Sequence, residues 1–99
     1  METNMVRVVA RVVARSDKVE ELRALLHGLL EPTRQERGCV MYALLHNRTD
    51  PTDFTFVEEW ANDAAIDAHL QTAHVQQALL KLPDLAAAAP DIRRYAVVK

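Results

Sequence analysis

The 99-residue sequence predicts an α+β domain of ferredoxin-like type, in which an antiparallel sheet carries helices on one face in the order βαββααβ. Three observations predict it. Segments rich in β-branched or aromatic residues stand at both ends of the chain and as a pair in its middle. Apolar residues at helical spacing fill the stretches between them. A hydrophobic share of 49 % with only 2 glycines marks a chain that buries a core, and its length makes it a single domain over residues 1–99.

The first strand lies in MVRVVARVVAR, residues 5–15. Val6, Val8, Ala10, Val12 and Ala14 make one wholly apolar face, while Arg7, Val9, Arg11, Val13 and Arg15 make a mixed one. Ser16-Asp17-Lys18 then opens a helix, with Asp17 and Glu20 at capping-box spacing and Val19, Leu22, Leu25, Leu26, Leu29 and Leu30 as its apolar stripe. Pro32 ends or kinks this helix, because it has no amide hydrogen to give the preceding turn. After Gly38, residues 39–47 (CVMYALLHN) form a second strand. A turn at Arg48-Thr49-Asp50-Pro51-Thr52 leads into a third, residues 53–60 (DFTFVEEW), paired with it as a hairpin. Phe54, Phe56, Glu58 and Trp60 share one face of that strand. Asn62 caps a short helix carrying Ala65, Ile66, His69 and Leu70. Thr72 caps another carrying Val75, Ala78, Leu79 and Leu82, which stops at Pro83. Residues 84–90 (DLAAAAP) are either helix, on their alanines, or a lid-like loop, on Pro90. Residues 91–99 (DIRRYAVVK) close the sheet. The outer face of that sheet carries Val9, Val13, Val57, Met41 or Tyr42, and Val97 or Val98, which is too apolar to face water. A symmetric homodimer is the simplest way to cover it.

Composition excludes several classes. Twelve Lys+Arg against 14 Asp+Glu leave a net charge of −2, so no surplus of cations is available to track nucleic-acid phosphates. The single cysteine, Cys39, rules out an internal disulfide framework and a cysteine zinc cluster. The apolar runs are shorter than the roughly 20 residues a bilayer requires. Met1-Glu2-Thr3-Asn4 does not open a basic-then-apolar leader. The expectation is a cytoplasmic protein with no membrane partner.

No phosphate loop, CxxC, HExxH or nucleophile elbow is present. The candidates for chemistry are polar groups on apolar faces. His69 and His74 stand five residues apart, which on one continuous helix separates them by about 140° and prevents a shared metal, so no metal site is expected. A helix break at Thr72 would let both turn toward one cavity, where an imidazole could move a substrate proton. The blander alternative puts one in the core and the other on the surface. Glu58 among apolar neighbours needs a partner or takes a raised pKa. Tyr42, on a face with Leu44 and His46, could hydrogen-bond a quinone or phenol oxygen, or simply sit at a rim. Trp60 suits either a core or a cavity wall. Cys39 has no activating neighbour in sequence, and Arg7 and Arg11 fall on the presumed dimer side.

Glu36-Arg37-Gly38-Cys39-Val40-Met41-Tyr42, Asp50-Pro51, the segment Phe54 to Trp60 with its Glu-x-Trp end, and Ala68-His69-Leu70-Gln71-Thr72-Ala73-His74 together resemble the antibiotic biosynthesis monooxygenase (ABM) family, and most of all its small quinol monooxygenases. The resemblance implies a dimeric α+β barrel with a cavity between sheet and helices in each subunit. It implies oxidation of a quinol-like or polycyclic phenolic aromatic substrate by O2 without metal or organic cofactor. His69 and His74 would then be the catalytic proton-handling residues, and Tyr42, Phe56, Glu58 and Trp60 would line the substrate site. Haem-degrading relatives use an asparagine on the first strand and a tryptophan on the second helix. Ala10 and His69 stand at those places here, which argues against haem. Two other readings stay open on this scaffold: an isomerase or tautomerase of a small ketone or phosphoketone with a histidine proton shuttle, and a non-catalytic ligand-binding dimer.

Overall fold

The computed structural model describes residues 5–99; Met1-Glu2-Thr3-Asn4, read above for a leader, lies outside the described residues. The elements are β1 (Val6–Val13), α1 (Val19–His27), α2 (Leu30–Arg34), β2 (Cys39–His46), β3 (Asp53–Trp60), α3 (Asp63–Leu70), α4 (Ala73–Leu85) and β4 (Asp91–Tyr95). The four strands form one antiparallel sheet in the order β2-β3-β1-β4, as the ferredoxin-like pattern requires.

Register decides which residues share the helix-facing side. Val8 lies opposite Glu58, Ala10 opposite Phe56 and Val12 opposite Phe54. Across the hairpin, Tyr42 lies opposite Glu58 and Leu44 opposite Phe56. The apolar face of β1 and the aromatic face of β3 are therefore one surface. Leu22, Leu26, Ile66, Ala78 and Leu82 of the helices close over it, with Trp60, Phe54 and Leu22 almost wholly buried. The opposite face carries Met41, Ala43, Leu45, Val9 and Val57, interrupted by the ion pairs Arg7–Glu59 and Arg11–Asp53, each 3.0 Å. Met41 and Leu45 there are exposed.

Several local expectations are corrected. Pro32 does not end the first helix. That helix stops at His27, with Gly28 as its C-cap, and Pro32 sits near the start of the separate α2, where no intrahelical donor is needed. The Asp17 capping box does not form: Lys18 takes the cap position without a side-chain bond. Pro83 does not stop α4, which runs to Leu85. Its end is held by Arg15, whose guanidinium donates to the carbonyls of Pro83 (2.7 Å) and Ala86 (3.2 Å). Residues 86–90 are a loop beside the end of β1, joined through Ala87 N–H to the Val13 carbonyl at 2.8 Å. The last strand ends at Tyr95 rather than Lys99. Asn62 and Thr72 cap α3 and α4 as their chemistry predicts, accepting from the amides of Ala65 and Val75.

Candidate functional site

The site is assembled where α3 gives way to α4. The helix ends at Gln71, and Thr72 starts the next with an extended backbone while its hydroxyl donates to the His69 carbonyl at 2.7 Å. This break reorients α4, and the two histidine rings converge on one carboxylate. His69 Nδ1 lies 2.8 Å and His74 Nε2 2.7 Å from the same oxygen, Oε2 of Glu36. Glu36 stands in the loop between α2 and β2, on a turn closed by its amide on the Thr33 carbonyl. The turn then passes through Gly38, at φ +87°, where a Cβ would stand 2.6 Å from that of Ala65. Only glycine satisfies both the backbone and the close approach to α3.

A carboxylate only accepts, so each imidazole presents an N–H to Glu36. His69 is thereby fixed with its proton on Nδ1. Its Nε2 has no hydrogen-bond partner among the described residues and is the basic atom of that ring. His69 is almost fully buried, tilted against Trp60 at 4.8 Å between centroids and edge-on to Tyr42 at 5.7 Å.

A cavity of about 70 Å³ lies between the sheet and the helices. Tyr42, Phe56, Glu58 and His69 contribute its functional wall and Val8, Ala10, Ile66 and Leu82 much of the remainder. Leu79 of α4 and Ile92 of β4, both exposed, lie at its outer end with Pro90. Tyr42 stacks on Phe56 at 4.8 Å. Burial, and then the neighbouring Glu58 carboxylate, push its phenol well above the usual tyrosine range, so it stays protonated. The nearby Thr33 hydroxyl opposes this, although its oxygen has no hydrogen-bond partner of full geometry.

Glu58 is buried with Trp60 Nε1–H donating to its Oε1 at 2.8 Å. Burial pushes its carboxyl up to about 7, against the Trp60 hydrogen bond and with a contribution from Glu36. The cavity thus holds a carboxyl that changes charge near neutrality beside an oriented imidazole.

The six candidate residues separate into three groups. Tyr42, Phe56, Glu58 and His69 border the cavity. Trp60 is not on its wall but behind it, orienting Glu58 and packing on His69. His74, partly exposed, borders instead a surface groove between α1 and α4 with Glu21, Gln77 and Lys81. The break at Thr72 brings the two rings to one carboxylate, not into one cavity. Sequence reasoning missed Glu36, which lies 33 and 38 residues from its partners. It also missed Arg34, whose two donors grip the Tyr42 carbonyl at 3.0 and 2.8 Å and tie α2 to β2. Cys39, half-buried, has its thiol pushed up by burial and then by Glu36, which makes it a poor nucleophile. Among the described residues, Glu36, His69 and His74 also form a set of metal-ligating groups, with donor atoms all within 4.8 Å of one another.

Comparison with known proteins agrees with this architecture. The sll1783 protein of Synechocystis is 36 % identical over 92 residues, covering 93 % of this chain; the chain spans 63 % of that protein's length. YcnE of Bacillus subtilis, provisionally named a monooxygenase, is 29 % identical over 90 residues, covering 91 % of this chain and 95 % of YcnE. Rv0793 of Mycobacterium tuberculosis, provisionally named likewise, is 36 % identical over 72 residues, covering 73 % of this chain and 70 % of Rv0793. The solved structure of Rv0793 superposes with a TM-score of 0.90 over 96 % of both chains. The model of the antibiotic biosynthesis monooxygenase family matches residues 5–79, and the chain belongs to that family.

Proposed function

We propose that the protein is a monooxygenase that oxidises a quinol-like or polycyclic phenolic substrate with O2, without a cofactor, and that His69 is its base. One observation carries the proposal: an imidazole on the cavity wall is held by Glu36 at Nδ1, which leaves Nε2 free to accept a proton. Removing a phenolic proton makes the substrate electron-rich enough to reduce oxygen itself. A naphthoquinol then takes up one O2 and yields a hydroxyquinone and water, with one oxygen atom in each product. The protein binds, deprotonates and shields the substrate. Tyr42, protonated, donates to a substrate oxygen, and Phe56 supplies an aromatic wall. The proton taken at Nε2 makes His69 an imidazolium, whose charge the Glu36 carboxylate at Nδ1 compensates.

The cavity is smaller than the roughly 150 Å³ that an apolar cavity needs to hold benzene. A polycyclic phenol therefore enters by displacing Leu79 and Ile92 at the outer end. A second copy of the chain, packed on the outer sheet face through Val9, Val57, Met41 and Leu45, would complete a dimeric barrel and remove that apolar face from water.

Oxygen uptake is measured with reduced naphthoquinones and anthrone-type phenols, no cofactor added and autoxidation subtracted. The expected result is saturable, enzyme-dependent uptake with one O2 per hydroxyquinone formed, lost in His69→Gln. Absence of uptake across the panel would overturn the proposal in favour of oxygen-independent proton transfer or plain ligand binding.

A further inference from the structure

We infer that Glu36, His69 and His74 form a binding site for one divalent transition cation of the zinc or cobalt type, open to the groove between α1 and α4. The three donors come from three different segments: the loop after α2, the end of α3 and the start of α4. On an unbroken helix the two histidines would point about 140° apart. The break at Gln71-Thr72 instead places Nδ1 of one and Nε2 of the other at 2.8 and 2.7 Å from a single carboxylate oxygen. Two neutral imidazoles and one carboxylate are the donor set that borderline cations prefer, over the all-oxygen sets of calcium and magnesium.

Metal–ligand bonds of about 2.0–2.1 Å in a tetrahedral site hold donors roughly 3.3 Å apart. Each of the two gaps to Glu36 therefore widens by about half an ångström, and the two histidine nitrogens, now within 4.8 Å of each other, draw together to the same separation. His69 is buried and Glu36 partly so, whereas His74 is about a quarter exposed and freer to adjust. Entry is from the His74 side, where the groove lined by Glu21, Gln77 and Lys81 leaves the remaining coordination position to water. The cation replaces two protons, one on His69 Nδ1 and one on His74 Nε2.

A regulatory consequence rests on the function proposed above. With a metal on Nδ1, neutral His69 carries its proton on Nε2 and faces the cavity as a donor, not as a base. The same ion also occupies the Glu36 oxygen that would compensate an imidazolium at His69. Binding therefore inhibits turnover.

The test titrates chelator-treated protein with Co2+ and Zn2+, followed by calorimetry and by the visible absorption of bound Co2+. Circular dichroism melting confirms that each variant is folded. Wild type should bind one ion per chain. Glu36→Gln and His74→Ala should each weaken binding by at least about tenfold, and His27→Ala, at a histidine outside the cluster, should not. No binding, or binding unchanged in both cluster variants, would overturn the inference. In the oxygen-uptake assay Zn2+ should inhibit wild type, while the residual rate of His74→Ala should be insensitive to it. If no oxygenase activity exists, the proposed function fails while the binding measurement still decides the cation site.

Discussion

Glu58 provides a stability measurement that does not depend on knowing the substrate. Its carboxyl is buried on β3 between Tyr42 and Val8, with one charge-stabilising contact, the Trp60 indole N–H. The ordinary value of 4.5 rises to about 7 in the folded chain, first because burial penalises the charged form. A displacement of that size corresponds to about 3 kcal/mol between the protonation states. The folded state holds this proton more tightly than the unfolded chain. Below pH 4.5 both states are protonated and nothing is lost. Between 4.5 and 7 the folded state binds more protons, so stability falls as pH rises; above 7 the whole cost is present. Glu58→Gln keeps an oxygen to accept from Trp60 and removes the charge. Urea denaturation of both proteins from pH 4.5 to 8.5 should show Gln gaining up to about 3 kcal/mol on wild type across that range. The melting temperatures should separate by roughly 10 °C or more at the alkaline end. A difference that is constant with pH, or one that favours Glu at high pH, would refute the reasoning, because it would mean the carboxylate is satisfied as an ion.

Three further outcomes are expected. Gly38→Ala should cost about 2–4 kcal/mol in denaturant melts, from its positive φ and the 2.6 Å approach to Ala65. Gly28→Ala, at φ −63° with its nearest contact at 3.4 Å, should be neutral or stabilising by up to about 1 kcal/mol; equal losses at both sites would remove the argument. The chain should scatter light as a dimer at micromolar concentration and as a monomer after Val57→Lys on the outer sheet face, and a monomeric wild type would sink the barrel arrangement. EDTA should leave turnover intact or raise it, measured as oxygen uptake before and after dialysis; a loss would place a metal in the reaction itself.

Much of the fold was legible in the sequence because strand alternation is a local signal. Val6 to Ala14 alternate with period two, so the buried face of β1 follows without knowing its partners. The same logic puts Phe54, Phe56, Glu58 and Trp60 on one face, and pairing with β1 then makes Phe56 and Glu58 of that face part of the cavity wall. Side-chain caps at Asn62 and Thr72 were equally local, and their ten-residue separation marked two helices where apolar spacing alone would admit one. Prolines are a weaker local signal. A proline is tolerated in the first turn of a helix, where Pro32 falls in α2, and Pro83 lies in the last turn of α4, which is anchored by Arg15 just after β1.

The centre of the site was the least legible part, for a physical reason. Glu36 has no local pattern: it follows a short helix, neighbours two charged or polar residues, and reads as solvated loop. Its role exists only because Gly38 lets the loop lie against Ala65 of α3 and because the break at Thr72 turns α4 so that His74 faces back. The signal that could have found it was the conjunction of the Thr72 cap with the five-residue histidine spacing. Two rings brought together by a capped break need an acceptor between them, and a carboxylate just before a conformationally required glycine, on the segment leading into the Tyr42 strand, is placed to supply it. The catalytic and cation-binding proposals both rest on that one oxygen of Glu36, which accepts from two imidazole N–H groups in one state and binds a metal ion in the other.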